Sequence, residues 1–282
     1  MNINSKFIEY IINFINSDQK LNKLFKHHKQ KYSINDMFEA LLYKLNTGIS
    51  YNNISDVFKH IKGGNLHYFH KKIIKYDIFV KFYDYYTKTY VDNLADNLTE
   101  FYIDSTLIAN KQGIDLVTNN IQLKKHKSSK ITIITDDFKV PLYFKLTDSN
   151  KHDSSVCYDE LDIFSKRYPL LCTNNKKFIA DAGYDSTKIE QKLKDNNLGV
   201  LICDKNKRNT KNPEKLKNLK LDLYSNMLLR KRSKIEHVNN SIKHNKTINI
   251  RYEKYSKYYN SFVLIAICKI AFIKIGNIEK YL

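Results

Sequence analysis

Apolar residues recur at helical spacing over the first third of the chain. Phe7, Ile11, Phe14 and Ile15 form one stripe, and Met37, Leu41, Leu42 and Leu45 form another. This spacing predicts helices across residues 1 to 95, with no strand alternation competing. Gly48 stands where the second helix should end and Ser50 where the next should be capped. That next helix has Ile54, Val57, Phe58 and Ile61 on one face, and Gly63 and Gly64 are expected to stop it. Two short helices around a glycine turn make a helix-turn-helix-like segment, although plain helix packing explains the same spacing without DNA reading.

After Glu100 the pattern becomes short runs rich in Ile, Val, Tyr and Phe: Phe101 to Ile103, Ile131 to Thr135, Val140 to Leu146, Lys177 to Ala180 and Val200 to Ile202. These predict strands of one sheet. Ser154 to Arg167 and Asp185 to Asn197 predict helices between them, the second capped by Asp185 or Ser186 and ended by Gly199. The chain is therefore expected to be α/β, with a helical domain over 1 to 95 and a mixed-sheet domain over 96 to 282. Residues 205 to 222 are polar and basic and read as a surface insertion, and a helical pattern resumes from Tyr224.

Composition changes this picture in two ways. The 282 residues carry 48 Lys and Arg against 29 Asp and Glu, a formal charge of +19, which favours a polyanionic partner. Most of that charge is Lys in a chain rich in Asn, Ile and Tyr, the pattern of AT-rich coding DNA. The few Arg residues, at 167, 208, 230, 232 and 251, are therefore more informative than the total. The four Cys residues are far apart and indicate neither a zinc site nor a disulfide framework. Asn4, Lys6, Glu9 and Asn13 interrupt the N-terminal apolar stretch, so no targeting signal is expected. The run Phe262 to Cys268 is shorter than the ~20 residues of a membrane span. A soluble intracellular protein with a buried C-terminal helix, without membrane association, is the expectation.

Two Asp residues follow short strands, Asp104 in YIDST and Asp181 in FIADAGYDS, where ligands gather in α/β sheets. Each could equally cap the turn that follows. Downstream, Arg232, Glu236 and Lys243 fall within about 40° of one another on a helix, which is also the geometry of an ordinary exposed ion pair. Three carboxylates brought together repel unless cations intervene, and two divalent ions would both relieve that repulsion and clamp a phosphodiester. Hard oxygen ligands favour Mg²⁺, with Mn²⁺ as a substitute. The arrangement of a phosphatase with an aspartyl nucleophile fits less well, because Thr106 stands where its second Asp is needed.

These segments resemble the insertion-sequence DDE transposases of the group named for elements four and five. YIDST, DAGYDS and the Arg232, Glu236 and Lys243 spacing carry the likeness, supported by LLYKLNTGISYNNI, SNKHDSS and RYEKYSKYYNSF. Leu229 stands where the group usually has Tyr. The resemblance implies an RNase H-like mixed sheet with flanking helices, preceded by a helical N-terminal domain. It also implies Asp104, Asp181 and Glu236 as catalytic, metal-binding acids holding two Mg²⁺ ions. Arg232 and Lys243 match the family's basic partners of donor DNA. Lys124, Lys125 and Arg208 are further candidate DNA contacts, read from their basic clusters. His152 and Asp153 read as a helix start. The implied partners are the element's terminal inverted repeats and target DNA, engaged by a homodimer in the synaptic complex. The implied reaction cuts the element's ends and joins the 3′ hydroxyl to target DNA; the alternative is a decayed or domesticated DNA-binding derivative.

Overall fold

The computed structural model describes residues 2–25, 32–124, 126–203 and 223–278; Lys125, Arg208 and the basic insertion expected at 205–222 lie outside them. In chain order the described elements are α1 (Ile3–Ser17), α2 (Gln19–Phe25), α3 (Ile34–Thr47), α4 (Ile54–Val57), α5 (Gly63–Lys75), α6 (Ile78–Leu94), β1 (Glu100–Asn110), β2 (Thr118–Asn120), β3 (His126–Asp136) and β4 (Pro141–Asp148). They continue as α7 (Asp153–Arg167), β5 (Lys177–Ala180), α8 (Thr187–Asp195), β6 (Val200–Cys203), α9 (Leu223–Arg230), α10 (Ser233–Lys243), α11 (Lys246–Asn249), β7 (Ile250–Arg251) and α12 (Ser256–Ile278).

Two compact units result, and they are not divided by a single cut near residue 95. One comprises Met1–Tyr86, Ala109–Asp115 and Ser241–Leu282; the other comprises Thr87–Ile108 and Leu116–Asn240. The C-terminal residues join the first unit because α12 is apolar around most of its circumference and must be enclosed. Phe262, Val263, Ile265, Ile267 and Ala271 are fully buried. By length and composition alone this helix could cross a membrane. Here it is a core helix packed against α1 and α5, and Phe7 of α1 sits between Phe82 and Phe272 at ring separations of 6.1 and 5.5 Å.

Helix starts and stops in this unit follow local chemistry. Ser33 accepts a hydrogen bond from the Asp36 amide and caps α3. Gly48 ends it in the left-handed conformation, φ 72°. The helix-turn-helix-like segment differs from expectation, because its second helix, α4, is a single turn. Gly63 and Gly64 begin α5 instead of stopping α4. A Cβ at Gly63 would lie 1.9 Å from the Tyr51 carbonyl oxygen, so the glycine serves close backbone approach. Arg251 is fully buried and bound to Asp115 at 2.6 Å, which makes it a structural residue.

The second unit is built on a sheet with strand order β2-β3-β1-β5-β6, and β4 pairs with β3. β3 and β4 form an antiparallel hairpin, while β1, β5 and β6 are parallel neighbours. Hairpin strands on one side of β1 and parallel strands on the other, with α7 leading into β5 and α8 into β6, give the RNase H-like order. All five strands expected from the sequence are present. β2 and β7, of three and two residues, are too short to leave an apolar pattern.

Candidate active site

The centre of the second unit's sheet brings the two Asp-bearing motifs together. β1 and β5 are paired in parallel, Phe101 with Phe178 and Tyr102 with Ile179. Asp104 therefore lies on β1 just beyond the paired residues, and Asp181 follows the last residue of β5. The motifs are also tied directly: Ser105 of YIDST is 2.9 Å from the hydroxyl of Tyr184 in DAGYDS and 2.8 Å from Thr132 on β3. Tyr184 is fully buried, so this hydroxyl cluster pins the Asp181 turn onto β1. Asp181 itself accepts a hydrogen bond from the Gly183 amide at 2.8 Å.

Electrostatics mark Asp104 as the focus. Burial pushes its carboxyl up to about 6, a shift opposed by the Ser105 amide and Arg232 and reinforced by the negative charges of Asp181 and Asp153. Asp153 begins α7 and is bound to the buried Lys130 at 2.8 Å, so its charge is already matched. That agrees with its reading as a helix start.

The helix bearing the third acid runs alongside β1. Lys231 and Lys234 reach Glu100 at the start of β1, at 2.8 and 3.8 Å. Asn239 reaches Asp104, donating to its Oδ2 at 3.0 Å. Burial alone would raise the Glu100 carboxyl, but hydrogen bonds from Lys231 and Tyr102 outweigh it and hold it below the usual range.

Glu236 lies between these anchors and is paired with Arg232 at 3.4 Å; its side chain is 54% exposed. Among the described residues no three His, Cys, Asp or Glu side chains form a group able to hold a metal ion. Asp104 and Asp181 are thus brought together, whereas Glu236 is engaged by Arg232. Lys243 is the last residue of α10, and Lys124 is exposed in a left-handed turn after Ile121–Leu123.

Asn239 escaped the sequence reading, although a signal existed. Ile235, Val238, Asn239 and Ile242 form the buried stripe of α10 at i, i+3, i+4 and i+7, and Asn239 is its one amide. A polar residue on an apolar stripe needs a partner. Its Nδ2 has Asp104, while its buried Oδ1 has no hydrogen-bond partner among the described residues. The site therefore offers a raised, buried carboxylate, a second carboxylate and an orphaned amide oxygen. All are hard oxygen donors of the kind divalent cations take.

No curated protein matches the chain. Solved structures that resemble it weakly include three Mos1 complexes. A Mos1 transposase paired-end complex with the left transposon end has 9% identity and a TM-score of 0.28, covering 84% of this chain and 86% of that one. A pre-cleavage Mos1 transpososome has 9% identity and a TM-score of 0.29, with 88% and 81% covered. A Mos1 mariner paired-end complex with Mn has 8% identity and a TM-score of 0.27, with 85% and 87% covered. Likeness at this level adds nothing to the strand order. The family model of the transposase DDE domain, by contrast, matches residues 98–269, more than half the chain and the span containing Asp104, Asp181 and Glu236. With the strand-end acids joined across neighbouring parallel strands, the chain belongs to the DDE transposase family.

Proposed function

We propose that this chain cuts the ends of a mobile DNA element and joins the freed 3′ hydroxyl to target DNA, with Asp104, Asp181 and Glu236 as its catalytic, metal-binding acids. The observation that carries the proposal is the Asp104 carboxyl: it is buried, pushed up to about 6, and faces the charge of Asp181 from the adjacent parallel strand. Without a cation, such a pair is held at an electrostatic cost. Two divalent ions, Mg²⁺ with Mn²⁺ as a substitute, would supply water activation and stabilisation of the departing 3′ oxygen when bound.

The protein's own groups have separable roles. Asp104 and Asp181, fixed by the Ser105 and Tyr184 hydroxyls, supply two oxygen donors on rigid strand ends. Asn239 orients Asp104 through its amide and offers its own carbonyl oxygen alongside. Glu236 is the third acid. Its exposed pair with Arg232 is weak enough to exchange partners, since such pairs are worth ~0.3 to 0.5 kcal/mol. Arg232, Lys243 and Lys124 hold DNA phosphates, and two protomers bring two element ends together.

Asp104→Asn tests the assignment, assayed in parallel for metal-dependent strand cleavage and for DNA binding. Loss of cleavage with binding retained supports it. Cleavage at the wild-type rate excludes Asp104 from the chemistry. A wild-type protein that binds element ends but never cleaves them, under any divalent metal, is the decayed derivative instead.

A further inference from the structure

The helical unit contains a cavity of about 670 Å³, inside the ~300 to 1,000 Å³ range of ligand sites. It is formed where LLYKLNTGISYNNI meets RYEKYSKYYNSF, two segments to which the catalytic acids give no role. Its walls are aromatic: the Tyr51 and His67 rings lie 4.9 Å apart, and His67 and Tyr258 lie 5.5 Å apart. Tyr252 and Tyr255 line it from the surface and are 53% and 46% exposed. Tyr51 is fixed from behind, its hydroxyl 2.6 Å from His70, whose other ring nitrogen is 2.9 Å from Ser261. This is a braced wall.

Charge is graded across the cavity. At its floor Lys44 and Glu253 form a buried pair at 3.5 Å, with Lys44 also 4.6 Å from the Tyr51 ring centre. Glu253 Oε2 has no hydrogen-bond partner among the described residues. A bare anion gains nothing there, because Lys44 is committed and a carboxylate stands beside it. Lys71 and Lys254 also line the cavity and form no ion pair among the described residues. An interior of tilted aromatic rings with a hydrogen-bond acceptor, lined as well by Lys71 and by Lys254, which lies 5.8 Å from the Tyr255 ring centre, suits a planar base carrying a phosphate.

We infer that this cavity binds an unpaired nucleotide of DNA, its base against the Tyr and His rings and its phosphate on Lys71 and Lys254. Choosing DNA over a free nucleotide rests on the transposase reading. It makes the helical unit a reader of strand ends or distorted duplex and not of groove sequence.

The test uses the full-length protein in EDTA, so no cleavage occurs and failure of the catalytic proposal cannot be mistaken for failure of this one. The probes are a blunt duplex and the same duplex with a short single-stranded extension carrying 2-aminopurine. Wild type should bind the extended duplex about tenfold or more tightly than the blunt one and quench the probe's fluorescence. The exposed-site double variant Tyr252→Ala/Tyr255→Ala should lose that preference and the quenching while binding blunt duplex as before. Retention of preference and quenching in the variant overturns the inference, as does an equal loss on both duplexes. Tight binding of deoxyadenosine monophosphate alone would assign the cavity to a free nucleotide and overturn the DNA assignment.

Discussion

Asn239 donates its side-chain amide to Asp104 at 3.0 Å while its own buried carbonyl oxygen has no partner among the described residues. One side chain thus both orients a candidate metal ligand and offers a further oxygen. Residues hydrogen-bonded to metal ligands typically change metal affinity or activity by ~10 to 100-fold when removed. Asn239→Ala should weaken Mn²⁺ binding by that factor in calorimetric titration, with the thermal midpoint reporting separately whether the fold survives. Unchanged Mn²⁺ affinity in a folded variant removes Asn239 from the site.

Asp104 makes metal-free stability depend on pH with a definite sign. Burial raises its folded value to about 6, above its unfolded value of 3.8, so the folded state binds the extra proton. Its contribution is most favourable below pH 3.8, declines as pH rises through 6, and is constant above. Asp104→Asn removes that decline and should stabilise the metal-free protein at pH 7 by ~1 to 3 kcal/mol, a range allowing for partial solvent access. Urea midpoints of the two proteins between pH 4 and 8 measure it, and a destabilised Asn variant at pH 7 would contradict it.

The ion pair of Arg232 and its proposed phosphate contact differ in size. Its exposed pair with Glu236 contributes at most ~0.5 kcal/mol to folding. Arg232→Ala should therefore leave the melting temperature nearly unchanged. If Arg232 holds a phosphate, the same variant binds DNA more weakly, with a salt dependence reduced by about one ion. Equal salt slopes for wild type and variant would count against phosphate contact.

Gly63 makes a purely structural prediction. A Cβ there meets the Tyr51 carbonyl oxygen at 1.9 Å, and backbone cannot give way as a flexible side chain can. Gly63→Ala should cost ~1 to 3 kcal/mol by denaturant unfolding, whereas Gly64→Ala, which meets nothing within 4 Å, should not destabilise.

The strands and their terminal acids were legible because apolar runs ending in Asp are local patterns, and the Arg232 to Glu236 spacing is likewise local. Their convergence is not local. It depends on β1 and β5 being parallel neighbours, a pairing across 77 positions at Glu100 and Lys177 that no periodicity encodes. Asn239 was visible only as an anomaly on an apolar stripe, because its partner is 135 residues away. Gly63 misled for a physical reason. Glycine signals both helix ends and close backbone approach, and the backbone of Tyr51 determines which applies here.

The most direct test of the single-site claim is single-turnover strand cleavage, with Mg²⁺ or Mn²⁺, by Asp104→Asn, Asp181→Asn, Glu236→Gln and the triple variant. Residues acting as one unit are strongly non-additive. Each single variant is predicted to lose nearly as much activity as the triple while still binding DNA. Cleavage by Glu236→Gln at the wild-type rate, with both Asp variants inactive, would contradict the triad and leave the site to the strand-borne acids.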